Sequence, residues 1–291
     1  MFRTGYAIAR NFTLPLILSK KNVDGKCSTG IGTCVVLNDE GWIVTAGHML
    51  SQYTEMMKSA IKVRDHEVQR TAIDNDKSID HKERRNRLVK LGKLKPNETA
   101  RCSITTGLPA SAKISRMISI PVVDLGLAKI DGFDPKWISQ YPVFKDPEKA
   151  FEPGVSLCKL GFPFQSAGVP TYDSNKDTFL LPPETFPAPL FPIEGIFTRT
   201  AAISVPPDQQ QPPCPYLWVE TSTPGLRGQS GGPTFDQKGT IWAIQCQTSH
   251  YPLGFDSTIP AQYFHVGLGV HPSTMFYFFN KYSIKYTVSD Y

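Results

Sequence analysis

Three short stretches carry residue types that could act together on a carbonyl group. Thr45-Ala46-Gly47-His48 supplies an imidazole, Val122-Val123-Asp124-Leu125 a carboxylate in an apolar setting, and Gly228-Gln229-Ser230-Gly231-Gly232-Pro233 a hydroxyl in a glycine-rich turn. A serine hydroxyl is a poor nucleophile at neutral pH and needs a base within hydrogen-bond reach, a task that suits imidazole because its pKa lies near working pH. His48 is the candidate base. The ring must be held in one tautomer and its cation stabilised by a carboxylate on the other nitrogen. Asp124 is the candidate; Asp131 and Asp134 compete with it, but they follow the strand and lack its apolar surroundings. Negative charge on a tetrahedral intermediate is best met by converging backbone amides. That oxyanion site falls at Gly228, Gln229 and Ser230, with the Gly228 and Ser230 amides as the natural donors. His250, His265 and His271 read as surface or packing residues.

The elements that must position these residues read mainly as strands. Residues 30–38 and 42–46 flank Asp39-Glu40-Gly41, a hairpin pattern of two β-rich runs around a polar turn with glycine. Similar runs recur at 114–123, 125–130, 155–160, 193–205, 216–221, 240–247 and 264–270, and such a series points to barrels or sandwiches. Residues 161–215 are dense in proline, which predicts loop or sheet edge over most of that stretch. Residues 272–282 read as a helix capped by Ser273 or Thr274, with a Met/Phe/Tyr face to bury.

Residues 55–101 have a different texture, with no glycine before Gly92 and no proline before Pro96, and they read as one or two amphipathic helices inserted between strands. They hold 13 Lys and Arg against 8 Asp and Glu, so the whole formal excess of +5 lies there. Lys82, Arg84, Arg85, Arg87 and Lys90 would suit an acidic partner, but interleaved acids such as Asp80 and Glu83 favour a solvated helix face. Nucleic acid is not expected as a partner.

A chain of 291 residues that is 40% apolar and 20% charged is an ordinary globular composition, which excludes disorder and collagen-like repetition. No stretch approaches the roughly 18 apolar residues of a membrane span, and the first residues read as lacking an export signal. The six cysteines lack C-x-x-C spacing, so neither a disulfide framework nor a zinc site is expected. A cytoplasmic, membrane-free protein without metal or cofactor is the resulting expectation.

TAGH, VVDLGLAKI and ETSTPGLRGQSGGP, in that order, resemble the His, Asp and Ser blocks of the trypsin/chymotrypsin-like serine peptidases, nearest to the HtrA/Deg-type branch in a stand-alone form without a PDZ domain. Leu160-Gly161-Phe162-Pro163-Phe164 is similar to the turn that opens the second barrel of that family. The resemblance implies an all-β fold of two antiparallel six-stranded barrels, residues 1–145 and 150–291, with the helical insertion in the first and a C-terminal helix in the second. It implies a serine endopeptidase in which His48, Asp124 and Ser230 cleave a protein or peptide substrate through an acyl-enzyme. The pocket for the residue before the scissile bond would be lined by Gln245, Cys246, Gln247, Val266, Gly267 and Leu268 and would take a small or medium apolar side chain. The chain departs from the secreted trypsins at several points. The cysteines flanking the histidine and serine are missing, Gln229 replaces the aspartate that captures a new N-terminus, and Pro224 stands where an acidic pocket floor would select Arg or Lys. With no zymogen device in view, two alternatives follow: activation by a partner protein acting through the insertion or the proline-rich loop, or a peptidase fold kept as a binding module.

Overall fold

The computed structural model describes residues 1–163, 168–205, 214–253 and 262–290; Phe164 and four of the prolines in the 161–215 stretch lie outside them. Strands β1 (Thr13–Asn22), β2 (Cys27–Val36), β3 (Trp42–Ala46), β4 (Thr99–Thr105), β5 (Lys113–Ile120) and β6 (Leu125–Asp131) form one antiparallel sheet in the order β4-β1-β2-β3-β6-β5. A second sheet is built from β7 (Val143–Phe144), β8 (Ser156–Gly161), β11 (Phe191–Ala202), β12 (Leu217–Thr221), β13 (Pro233–Phe235), β14 (Ile241–Leu253), β15 (Gln262–Val270) and β16 (Thr287–Val288). Strands β9 (Thr171–Asp173) and β10 (Thr178–Leu180) make a separate hairpin. In the second sheet β13 pairs with both β8 and β14, which closes a six-stranded ring, and β7 and β16 extend it in parallel. The architecture is the expected all-β arrangement of two sheets, with the parallel extension as an addition.

The sequence gives β1 no clear strand signature because Pro15 interrupts it. The register removes the conflict: Pro15 pairs with Thr33 of β2, whereas pairing with β4 begins only at Ile17, so proline occupies the part of the strand that has a single neighbour. Helix α1 (Arg3–Ala9) was likewise unforeseen. It leans on the second sheet, with Phe2 edge-on to Phe235 at 6.3 Å.

The charged insertion is helical, but it starts earlier than residue 55. Helix α2 runs Gly47–Asn75 directly out of β3, and α3 covers His81–Leu91. Asp80 caps α3 by accepting from the Glu83 amide. Arg84 reaches back to the carbonyls of Asp76 (2.8 Å) and Ile73 (3.4 Å), satisfying the last turn of α2 and its cap. Arg87 pairs with Glu83 (2.9 Å) and Asp76 (3.5 Å). Part of the basic cluster is thus spent on the helix junction.

One apolar core runs through both sheets, from Leu16, Val35 and Leu127 to Phe235, Ile244 and Val270. Helix α4 (Pro272–Lys281) closes it, with Phe144 of β7 packed edge-on against Phe276 and Phe279, each 5.8 Å away. The helix starts at Pro272, as the sequence suggests, but its cap is His271 and not Ser273 or Thr274: Nδ1 of His271 accepts from the Ser273 amide at 3.2 Å, and Pro272 fills the first helical position, where its missing N–H costs nothing.

His271 carries a testable consequence. Burial, with the nearby Lys145 cation, lowers its pKa from 6.5 to about 4. Between those values the unfolded chain binds a proton that the folded chain does not, so stability rises with pH through that window and is lost as pH falls. The expected loss from pH 7 to pH 4 is on the order of 3 kcal/mol from this residue. Urea unfolding at several pH values checks it: His271→Asn, which keeps a capping side chain, should flatten the profile between pH 4 and 6.5.

Candidate active site

His48 sits in the first turn of α2, where β3 ends. A helix start leaves backbone amides without partners, and here Asp124 takes two of them: its carbonyl accepts from Gly47 N (2.8 Å) and its Oδ1 from His48 N (2.7 Å). The same carboxylate holds the ring, with His48 Nδ1 at 2.9 Å from Oδ2 and 3.2 Å from Oδ1. Asp124 reaches this position from a 3-10 turn (Pro121–Val123) with a left-handed φ of 46°, a conformation aspartate tolerates better than most residues. Asp131 ends β6 in an exposed position, and Asp134 is spent on the amide of Lys136 (3.0 Å). The imidazole thus has Nδ1 fixed and is half exposed, leaving Nε2 as the nitrogen available for proton exchange.

The serine turn comes from the second sheet and is tied to the first. Gln229 N donates to Leu226 O (2.9 Å) across a four-residue turn whose third residue, Gly228, has φ +97°, the value a type II turn demands and glycine supplies. Three carbonyls around the serine are tied inward. Thr33 Oγ1 donates to Gly228 O (2.7 Å), Thr33 N to Ser230 O (2.9 Å), and Gln245 N to Gly232 O (2.8 Å). Among the described residues the amides of Gly228 and Ser230 have no acceptor, as a site awaiting an oxyanion requires. Gln229 contributes differently from the sequence expectation. Its amide is spent on Leu226, and its fully buried side chain clamps the turn, accepting from Leu226 N (3.0 Å) and donating to Phe191 O (3.4 Å).

The two halves meet closely. A Cβ on Gly231 would stand 2.1 Å from Thr33 O and 2.9 Å from Ala46 N, two residues before His48, so glycine is required for the turn to approach β3. Cys246 of β14 lies near enough to Asp124 for that charge to add to the effect of burial in raising the thiol pKa, desolvation being the larger cause. Among the described residues the hydrogen bonds of the His48 ring go to Asp124, and the Ser230 hydroxyl makes none with it.

Beside the serine lies a cavity of about 180 Å³ lined by Gly225, Leu226, Arg227, Ser230, Gln245, Cys246, Gln247 and Thr248. Three of the six residues expected to line the pocket, Gln245, Cys246 and Gln247, are in its wall. Val266, Gly267 and Leu268 are not: they belong to β15, the next strand, where Val266 and Leu268 are buried in the core. The other wall, Gly225 to Arg227, immediately precedes the serine turn. Thr33 has no motif around it, because its contribution depends on pairing between distant strands.

Thr33→Val tests the latch: the buried Gly228 carbonyl would lose its hydroxyl donor at a cost of about 1–3 kcal/mol, seen as a lower urea midpoint, whereas Thr33→Ser should retain most of the stability.

No protein-family model matches the sequence, and no curated protein matches it. Among solved structures, an HtrA-type protease, AlgW with a decapeptide, superposes with a TM-score of 0.53 at 12% identity, covering 97% of this chain and 67% of that one. No helix among the described residues is long and apolar enough to cross a membrane. All six cysteines are free thiols. The chain has a trypsin-like fold, similar to that of the HtrA-type protease.

Proposed function

We propose that this protein is a serine endopeptidase in which Ser230 is the nucleophile, His48 the general base and acid, and Asp124 the residue that fixes and stabilises the imidazole. The observation that carries the reading is the Asp124 carboxylate bonded to His48 Nδ1 at 2.9 Å while a glycine-built turn presents Ser230 and two acceptor-free amides beside β3. In the proposed reaction Ser230 Oγ attacks the peptide carbonyl carbon as His48 Nε2 takes its proton. The oxyanion settles between the amides of Gly228 and Ser230, His48 returns the proton to the leaving amine, and water activated by the same ring releases the acyl group. The scheme calls for neither a metal nor an organic cofactor. The decapeptide that accompanies the structural neighbour agrees with a peptide substrate here.

Within the trypsin-like fold we place the chain in the HtrA/Deg-type branch, with one unit before about residue 145 and one after about 150. The free thiols support a reducing, cytoplasmic setting.

A second reading is a latent enzyme or binding module, and the missing bond between Ser230 and His48 favours it. Catalytic hydrogen bonds commonly lengthen in the absence of substrate and tighten in the complex, so the same observation also fits an enzyme completed by its substrate or by an activating partner. A fluorophosphonate probe separates the readings. Labelling of the wild type that vanishes in Ser230→Ala supports the peptidase. Asp124→Asn should lower kcat/KM by about four orders of magnitude, and absence of labelling with and without candidate partners would support the module.

A further inference from the structure

Beneath the cavity lies a buried cation that the proposed mechanism does not use. Lys159 of β8 is 1% exposed, and its ammonium reaches the segment leading into the cavity wall. Nζ donates to Thr221 Oγ1 (3.1 Å), to the Pro224 carbonyl (3.2 Å) and to the Thr223 carbonyl. Gly267 makes the room: a Cβ there would stand 2.7 Å from Nζ. All three partners are neutral oxygens, although a buried ammonium ordinarily has a carboxylate partner. Lys159 forms no ion pair among the described residues; the acids of the neighbouring strands are engaged elsewhere, Glu220 with Arg199 (3.0 Å) and Glu194 with the Ser156 hydroxyl (2.9 Å). Burial lowers the Lys159 pKa only to about 8, so it remains largely protonated at neutral pH.

The cavity itself continues this sign of charge. Pro224, held by Lys159, is followed directly by Gly225, the first residue of the wall. The opposite wall is polar: Thr248 Oγ1 accepts from Gly225 N and donates to Gly225 O, each at 3.1 Å, and Gln245 donates to Gln247 O (2.8 Å). At the rim stands the exposed guanidinium of Arg227, which has no ion pair among the described residues. A buried lysine behind the segment that leads into the wall and an exposed arginine at the mouth, with no acid among the lining residues, make the surroundings of the cavity positive.

We propose that the substrate side chain preceding the scissile bond is acidic, aspartate or glutamate, and that Lys159 and Arg227 select it. The proposal rests on the peptidase reading and replaces the apolar preference expected from the sequence. Lys159 acts through the Thr223–Pro224 segment that leads into the wall, as a specificity-determining residue and not as a catalytic one, and the substrate carboxylate supplies the counter-charge that the fold withholds.

The test compares peptidyl diphenyl phosphonates carrying Glu, Gln or Leu at that position, with covalent labelling of Ser230 as the readout. The Glu probe should label the wild type at least about tenfold faster than its neutral isostere Gln, a discrimination of the size one charge contact supplies. Lys159→Met and Arg227→Gln should each move the Glu-to-Gln ratio toward one, and a ratio taken within each variant cancels general loss of activity. Equal or faster labelling by Gln or Leu in the wild type overturns the proposal, as does an acidic preference that survives both substitutions. Should Lys159→Met fail to fold, Arg227→Gln decides alone, and an unchanged ratio overturns the assignment. Failure of all three phosphonates together with a small fluorophosphonate would instead remove the peptidase reading itself.

Discussion

The site depends on one carboxylate doing two jobs. Asp124 accepts from the backbone amide of His48 and from its ring, while its own carbonyl accepts from Gly47. The first turn of a 29-residue helix and the tautomer of an imidazole are therefore fixed by the same residue. The approach is tight, since a Cβ on Gly47 would meet the Asp124 carbonyl carbon at 2.9 Å. A helix terminus favours negative charge, so the position that orients the ring also suits an ionised acid. The left-handed backbone at Asp124 is then a local cost offset by three hydrogen bonds.

The serine turn is determined from the opposite direction. Its inward carbonyls are tied to Thr33 and Gln245, one on each sheet, and Gln229 fastens the turn from beneath. Peptide planarity acts through a further bond: the Gln229 carbonyl accepts from Gly232 N (2.8 Å), and the Ser230 amide in the same trans plane points the opposite way. Because Thr33 belongs to β2 and Gln245 to β14, the geometry of the serine turn also reports the relative placement of the two sheets, which share one continuous core. Lys159 extends the same logic behind the cavity, where the Thr223 and Pro224 carbonyls hold a buried charge on the segment that leads into the wall.

Much of this was legible in the sequence because short-range chemistry marked it. The hairpin leading to His48, the strand after Asp124 and the glycines around Ser230 are local patterns, and the structure places them where that reading put them. What the sequence concealed depends on long-range pairing. Pro15 masked β1 until its register with β2 and β4 was known. The helical insertion was legible from its texture, but its start at Gly47 was not, since a partner 77 positions away supplies its first capping oxygen. Val266 to Leu268 lie on β15, beside the wall strand β14, a placement that depends on pairing the sequence does not display.

The most direct test of the account is a crystal structure of the Ser230 adduct formed with a peptidyl phosphonate. The account predicts one phosphonyl oxygen about 2.7–3.1 Å from the amide nitrogens of both Gly228 and Ser230, with the His48 ring still bonded to Asp124 and its Nε2 turned toward the adduct. An adduct oxygen directed into solvent, or a His48 ring detached from Asp124, would contradict it.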